Sequence, residues 1–156
     1  MASKIDSATL TVQVREEVTL NNRKLGGQNV HEITGINEAS ERILTVPTSE
    51  VAVLGLSSSV GAGTYITDDI QYIRLTNLDN TNFVRLTFVS GSSTDAGAKA
   101  NRFDVKLEAE RSMIFTNASI SGSNENIAFS SFSNFTDLKA TADTAAVDVE
   151  LFVASK

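Results

Sequence analysis

Apolar residues recur at every second position over long stretches of this chain, and this alternation restricts the possible fold more than any other feature. The clearest run is the last one, with apolar positions at Val147, Val149, Leu151 and Val153 between Asp148, Glu150, Phe152 and Ala154. An earlier run sets Phe103, Val105 and Leu107 against Asp104, Lys106 and Glu108. Because successive side chains of a strand point to opposite faces, each run predicts a strand with one face in a core.

Strand-like segments of this kind follow one another along the whole chain, separated by connections rich in Ser, Thr, Asn and Gly. About eight of them, with turn signals between them, predict an all-β, single-domain antiparallel β-sandwich, most simply a jelly roll. A length of 156 residues suits one domain. We expect the sandwich to span residues 9–156, after a flexible N-terminal arm at residues 1–8.

The N-terminal third predicts one long strand and then weaker ones. From Thr9 to Leu20 the apolar residues fall on one face, which Glu16 interrupts near its middle. An inward charge or a local bulge at such a position prevents a long strand from pairing with other chains. Residues 21–27 form a turn-rich connection, and residues 30–36 form a weaker strand. Pro47 cannot donate to a sheet ladder, so it fits an edge or a corner between two short strands.

A β-hairpin is predicted from the strands at residues 70–78 and 83–89, with Asp79 and Asn80 as its turn. This register places Leu75 opposite Val84 on the apolar face. It also places Arg74 opposite Arg85 on the other face, where two like charges are unfavourable unless an acid or a partner intervenes. Asp104 and Glu108 are the acids that the next strand would supply, and a salt-bridge patch for a protein neighbour is the alternative.

Three phenylalanines, Phe129, Phe132 and Phe135, recur at every third residue within a Ser/Asn-rich stretch. Serine and asparagine are poor helix formers, so the stretch predicts a loop whose rings close one end of the sandwich. The alternative is an aromatic anchor for a partner. Together with Arg74 and Arg85, these residues form the candidate partner interface.

The composition offers little for catalysis. The chain contains no cysteine, which excludes disulfides, thiolate catalysis and cysteine-ligated metals. His31 is the only histidine, and we interpret it as an ordinary strand residue. A net charge of −6, with 13 scattered basic residues, argues against nucleic-acid binding. No signal-like N-terminus or membrane-spanning run is visible. We therefore expect a non-enzymatic protein, made in a cytoplasm, without cofactor, metal, nucleic-acid or membrane partner.

Three segments resemble small virion structural proteins of tailed phages, especially the capsid decoration or cement proteins of marine phages. They are IQYIRLTNLDNTNFVRLTF, FDVKLEAERSMIF and KATADTAAVDVELFVASK, at residues 70–88, 103–115 and 139–156. The resemblance implies a β-sandwich without enzymatic activity that assembles on the virion. The implied partners are the major capsid protein or other virion proteins, together with further copies of the chain in a homo-oligomer such as a trimer.

Other functions remain open on the sequence alone. A tail, fibre or head-fibre component belongs to the same class as a decoration protein. A carbohydrate-binding module is the alternative of another class, although the chain has no Trp and its only tyrosines are Tyr65 and Tyr72. A cupin-type enzyme would need several histidines for its metal, and one histidine cannot supply them.

Overall fold

The computed structural model describes residues 6–90, 101–116, 121–122 and 133–156. Fourteen strands lie in these ranges: β1 Ala8–Arg15, β2 Val18–Leu20, β3 Arg23–Leu25, β4 Gln28–Ile36, β5 Glu38–Val46, β6 Val51–Ser57, β7 Thr64–Ile66, β8 Ile70–Asn77, β9 Val84–Ser90, β10 Asn101–Leu107, β11 Ser112–Phe115, β12 Ser121–Gly122, β13 Ser133–Ala142 and β14 Val147–Ser155. A 3-10 turn at Thr67–Asp69 precedes β8. The described helical structure is too short and too polar to cross a bilayer.

Two sheets face each other and form the body of the molecule. The first sheet has the strand order β10-β9-β13-β6-β7, with β12 added to β13, and the second has the order β11-β8-β14-β5. All of these contacts are antiparallel except the short parallel pair of β6 and β7. The all-β, sandwich-like fold is therefore as expected, whereas this strand order does not confirm a jelly roll.

The core lies between the two sheets, where alternate residues of each strand point inward. The second sheet contributes Leu75 and Leu151, and the first contributes Leu86 and Leu138, all of them fully buried. The alternating residues of β14, from Val147 to Val153, are also buried as the pattern predicts. Pro47 lies at the corner where β5 of one sheet leads to β6 of the other, and its carbonyl accepts a hydrogen bond from Ala142 N at 2.9 Å.

The predicted hairpin of β8 and β9 is wrong, because the two strands lie in different sheets. The connection between them is held by side-chain bonds that a two-residue turn does not have. Asn77 Nδ2 donates to the carbonyls of Asn82 and Leu107, at 2.9 and 3.3 Å. Asp79 Oδ1 accepts from the backbone amides of Thr81 and Asn82. These bonds lead the chain across the end of the sandwich, so Leu75 and Val84 belong to opposite layers of one core.

The first four strands form a separate structure, a long hairpin that we call the finger (Ala8–Ile36). Strand β1 pairs with β4 and β2 pairs with β3, in one continuous register from Thr9 opposite Thr34 to Leu20 opposite Arg23. Asn21 and Asn22 make the turn with φ values of +49° and +62°. Such values are typical of the type I′ turns that close two-residue hairpins, and Asn tolerates them well.

Candidate functional site

The arginine pair predicted from the sequence does not exist in the structure, because each arginine lies on the outer face of a different sheet. Arg74 Nη1 donates to Glu150 Oε2 at 2.6 Å, and its Nη2 lies 3.3 Å from Glu41 Oε1. The Arg74 guanidinium holds the pKa of the Glu150 carboxyl below its usual value. Arg74 therefore fastens β8 to β14 and β5 within its own sheet.

Arg85 lies on the first sheet, beside Lys106 of β10 and Thr141 of β13. It is exposed, and no described residue forms an ion pair with it. Neither acid predicted to balance it does so, since Asp104 accepts a hydrogen bond from Thr87 and Glu108 pairs with Lys106. Of the two arginines, only Arg85 is left available to a neighbour.

Phe135 lies inside the sandwich and not on its surface. Its side chain is 4% exposed, and its ring centroid lies 5.3 Å from that of Phe88 and 5.6 Å from that of Phe103. The ring therefore closes part of the core, which corrects its placement among the candidate interface residues. Phe129 and Phe132 lie outside the described residues.

The finger is the feature that sequence reasoning missed. Among the described residues its base packs on the body, where Ile33, Ile36 and Leu10 lie on Tyr72 and Phe152 of the second sheet. Burial under this base raises the pKa of the Tyr72 phenol. Between the base and the sheet lies a groove of about 260 Å³, to which Arg74 and Glu41 also contribute. The base thus fixes the direction in which the finger leaves the body.

Beyond its base the finger stands in solvent. Every residue from Gln13 to Glu32 is exposed, which corresponds to roughly 25 Å of hairpin at about 3.3 Å per residue. An isolated two-stranded hairpin is at best marginally stable in water. Nevertheless its outer part carries five large apolar side chains that are exposed: Val14, Val18, Leu20, Leu25 and Val30. By the register, Val14, Val18, Leu20 and Leu25 share one face of the hairpin and Val30 lies on the other, so four of the five form a row of exposed apolar side chains of the kind found at interaction sites.

A change in the strand geometry separates the base of the finger from its tip. The ladder is interrupted between Arg15 and Val18, where Glu16 N donates to Gly27 O at 2.9 Å. On the return side of the hairpin Gly26 adopts a φ of +122°, and a Cβ at this position would lie 2.1 Å from the Glu16 carbonyl oxygen. Only glycine fits this position. The strand pairing pauses at Glu16, but the register continues through it without the bulge that the sequence suggested.

Little else in the described residues suggests chemistry. Within the described ranges, no group of three or more His, Cys, Asp or Glu side chains could hold a metal ion. His31 is exposed on β4, opposite Val12 of β1. The sequence signal that could have revealed the finger is the Asn21-Asn22 pair between two apolar runs, because Asn at both central positions favours a type I′ hairpin turn.

The chain matches no protein-family model, no curated protein and no solved structure.

Proposed function

We propose that the chain is a non-enzymatic structural protein of a tailed-phage virion, and that it acts as a capsid decoration protein bridging neighbouring major capsid subunits. The observation that carries the proposal is the finger, which holds exposed apolar side chains well away from the sandwich body. A sandwich body with one projecting hairpin that carries exposed apolar side chains is suited to joining two neighbouring subunits of an assembly.

The resemblance to phage virion proteins supports the same proposal. Its three segments correspond to strands of the sandwich body, namely β8 and β9, β10 and β11, and the end of β13 with β14. The finger lies outside all three segments. In the proposed division of roles, the body supplies the shared scaffold and the finger supplies contacts particular to this chain.

Repetition makes such contacts effective. A symmetric shell presents the same binding surface many times, so modest contacts at each copy add up to firm attachment. The net charge of −6 disfavours non-specific aggregation of free copies, so that specific contacts decide which surfaces meet.

The tyrosines weigh against the carbohydrate-binding alternative. Stacking on a sugar needs an exposed aromatic face, but Tyr72 is buried beneath the finger. Tyr65 is half-buried, and its hydroxyl lies 2.6 Å from the Ser40 hydroxyl in a hydrogen bond. Neither ring is presented as a flat, open platform.

Mass spectrometry of washed virions of the phage that encodes the chain tests the proposal, together with electron microscopy of gold-labelled antibody. The proposal predicts stoichiometric amounts of the chain and label over the shell. Label confined to the tail would replace the decoration role with a tail role. Absence of the chain from washed particles, with the major capsid protein as the positive control, would contradict both.

A further inference from the structure

The tip of the finger presents one face that combines apolar side chains with a free cation. In the antiparallel register Val18 lies opposite Leu25, and Leu20 lies opposite Arg23. Directly opposed residues share a face, and so do residues two apart. Val18, Leu20, Arg23 and Leu25 therefore form one surface, which we call the tip face.

Arg23 is the unbalanced charge of the tip face. Arg15 and Lys24 both lie near Glu17, at 2.8 and 3.8 Å. Arg23 has no ion-pair partner among the described residues. The tip face is thus a small apolar surface, 60% exposed at Leu20, with one positive charge beside it.

The body carries a surface of the opposite kind on the outer side of the second sheet. A groove of about 420 Å³, which we call the distal groove, is lined by Ile43, Thr45, Leu78, Asp79, Ala146 and Asp148. Ile43 is 63% exposed and Leu78 is 46% exposed, so the groove offers two apolar side chains that are open to solvent. Leu78 is held beside Asp148 by a hydrogen bond from its backbone amide to the Asp148 carbonyl at 2.9 Å.

Two carboxylates line the distal groove, and neither has a cationic partner among the described residues. Asp148 Oδ1 accepts a hydrogen bond from the Thr45 hydroxyl at 2.7 Å. Asp79 accepts from the backbone amides of Asn82 and Thr81, which hold the pKa of its carboxyl below the usual value. In the described part of the chain, neither carboxylate lies within ion-pair distance of a Lys or Arg side chain.

The tip face and the distal groove therefore match in two respects. Both present exposed apolar side chains, and Arg23 of the tip face, unpaired among the described residues, is complementary in charge to Asp79 and Asp148 of the groove. The finger base covers the Phe152 end of the second sheet, whereas the groove lies toward its Asp148 end. Both surfaces are exposed within one copy, so the tip is not seated in the groove of its own chain.

We propose that the tip face of one copy docks into the distal groove of a second copy, with Arg23 against Asp79 and Asp148. The contact is head to tail, since it joins different surfaces of the two copies, and it can build a ring or a chain of copies. The inference rests on the proposed function in taking the finger to be an assembly element, and it identifies a copy of the same chain as the finger's partner.

Sedimentation velocity of the full-length chain over a range of concentrations tests the proposal. Two variants each destroy one half of the contact, Leu20→Asp in the tip face and Ile43→Asp in the groove. Val60→Asp is the matched control, because Val60 is 88% exposed and belongs to neither surface. All three sites are exposed, so circular dichroism should show unchanged folding.

The wild-type chain and Val60→Asp should associate, and Leu20→Asp and Ile43→Asp should each be monomeric alone. Mixed in equal amounts, these two variants should form a dimer and nothing larger, because one intact tip and one intact groove remain. Association of Ile43→Asp alone would indicate tip-to-tip contact and would contradict the proposal. A monomeric wild type at millimolar concentration would contradict it as well.

A charge exchange and a crosslink provide independent readouts. Arg23→Glu should weaken association about tenfold, and adding Asp148→Arg in the same chain should restore it. Because the native chain has no cysteine, a variant with Leu20→Cys and Leu78→Cys should form disulfide-linked multimers under mild oxidation. A variant with Val60→Cys and Leu78→Cys should not, and equal crosslinking of both variants would contradict the proposal.

Failure of this inference is distinguishable from failure of the proposed function. A chain that is monomeric in solution but abundant on virions would remove the tip-to-groove contact and leave the virion role intact. A chain that self-associates but is absent from virions would contradict the virion role and leave the tip-to-groove contact intact.

Discussion

The rings of Tyr72 and Phe152 meet edge to face beneath the finger, with their centroids 5.7 Å apart and their planes inclined by 76°. They stand on the outer side of the second sheet, whereas Ile73 and Val153 beside them point into the core. Ile33 and Ile36 of the finger pack on this pair. The position of the finger therefore depends on two rings that belong to the body.

Removing one ring should loosen the finger and lower the stability of the whole chain. Phe152→Ala should cost about 2 kcal/mol, less than a fully buried Phe→Ala change because Phe152 is only half-buried. Denaturant unfolding measures the loss, and Ile114→Ala on the edge strand β11 should change stability by less than about 0.5 kcal/mol. Equal stability of the two variants would show that the ring pair does not support the finger.

Two adjacent glycines offer a matched test of the finger's geometry. Gly26→Ala places a Cβ against the Glu16 carbonyl oxygen at a positive φ, whereas at Gly27 a Cβ would meet nothing within 4 Å. We expect Gly26→Ala to destabilise the outer hairpin by about 1 kcal/mol or more, and Gly27→Ala to be tolerated. Hydrogen exchange should accelerate in β2 and β3 of the Gly26 variant and remain unchanged in β8 and β14. Identical exchange in both variants would show that position 26 does not require glycine.

The Arg74–Glu150 ion pair should make stability depend on pH. Its effect lowers the pKa of Glu150 in the folded chain from the ordinary 4.5, so the unfolded chain binds the proton more tightly. The stabilisation is therefore complete above the ordinary glutamate pKa and is lost as the pH falls through the lower, folded value. Glu150→Gln should remove this acid-side slope and cost about 1 kcal/mol at neutral pH, because both side chains are about a quarter exposed.

Unfolding free energies of wild type, Glu150→Gln, Arg74→Gln and the double variant, measured from pH 7 to pH 3, test this prediction. The two single variants should show the same flattened pH dependence, and the double variant should add little to either. A Glu150→Gln curve parallel to the wild type would mean that the pair has no energetic coupling.

A charge placed between the two sheets should prevent folding. Leu107 is 4% exposed at the end of β10, and an aspartate there would lose its hydration without gaining a partner, at a cost of several kcal/mol. Leu107→Asp should therefore be insoluble or show no cooperative unfolding by circular dichroism. Ile114→Asp, at an exposed position of an edge strand, should fold normally, and a folded Leu107→Asp would show that the inward face is wrongly assigned.

The sequence was sufficient to predict the buried face of a body strand such as β14, but not that the apolar face of Thr9–Leu20 is exposed beyond Val12, nor which strands are neighbours. Alternation reports the inward face directly, as Val149 and Leu151 show. It cannot distinguish a strand beside β8 from one facing β8 across the core, since both have the same period. The bonds from Asn77 and Asp79 that send β9 to the other sheet connect residues whose proximity only the fold establishes. The predicted Arg74/Arg85 pair failed for this reason.

The finger was missed because its two halves look different in sequence. Thr9–Leu20 has an apolar face that only Glu16 interrupts, but the return strand carries Glu32 and three glycines at positions 26, 27 and 35. Pairing with a regular strand compensates for that weak pattern, and the Asn21-Asn22 turn fixes the register. For Phe135 the sequence left two interpretations, a ring that closes the sandwich and an anchor for a partner, and its burial against Phe88 excludes the second.

A cryo-EM map of the virion at side-chain resolution tests the central claim most directly, since that claim is that the finger is the assembly element of this chain. The account predicts the sandwich on the outer surface of the shell, with residues 13–32 ordered against a neighbouring subunit and Leu20 buried in the contact. A map in which the sandwich is bound but the finger points into solvent, with Leu20 uncovered, would contradict it.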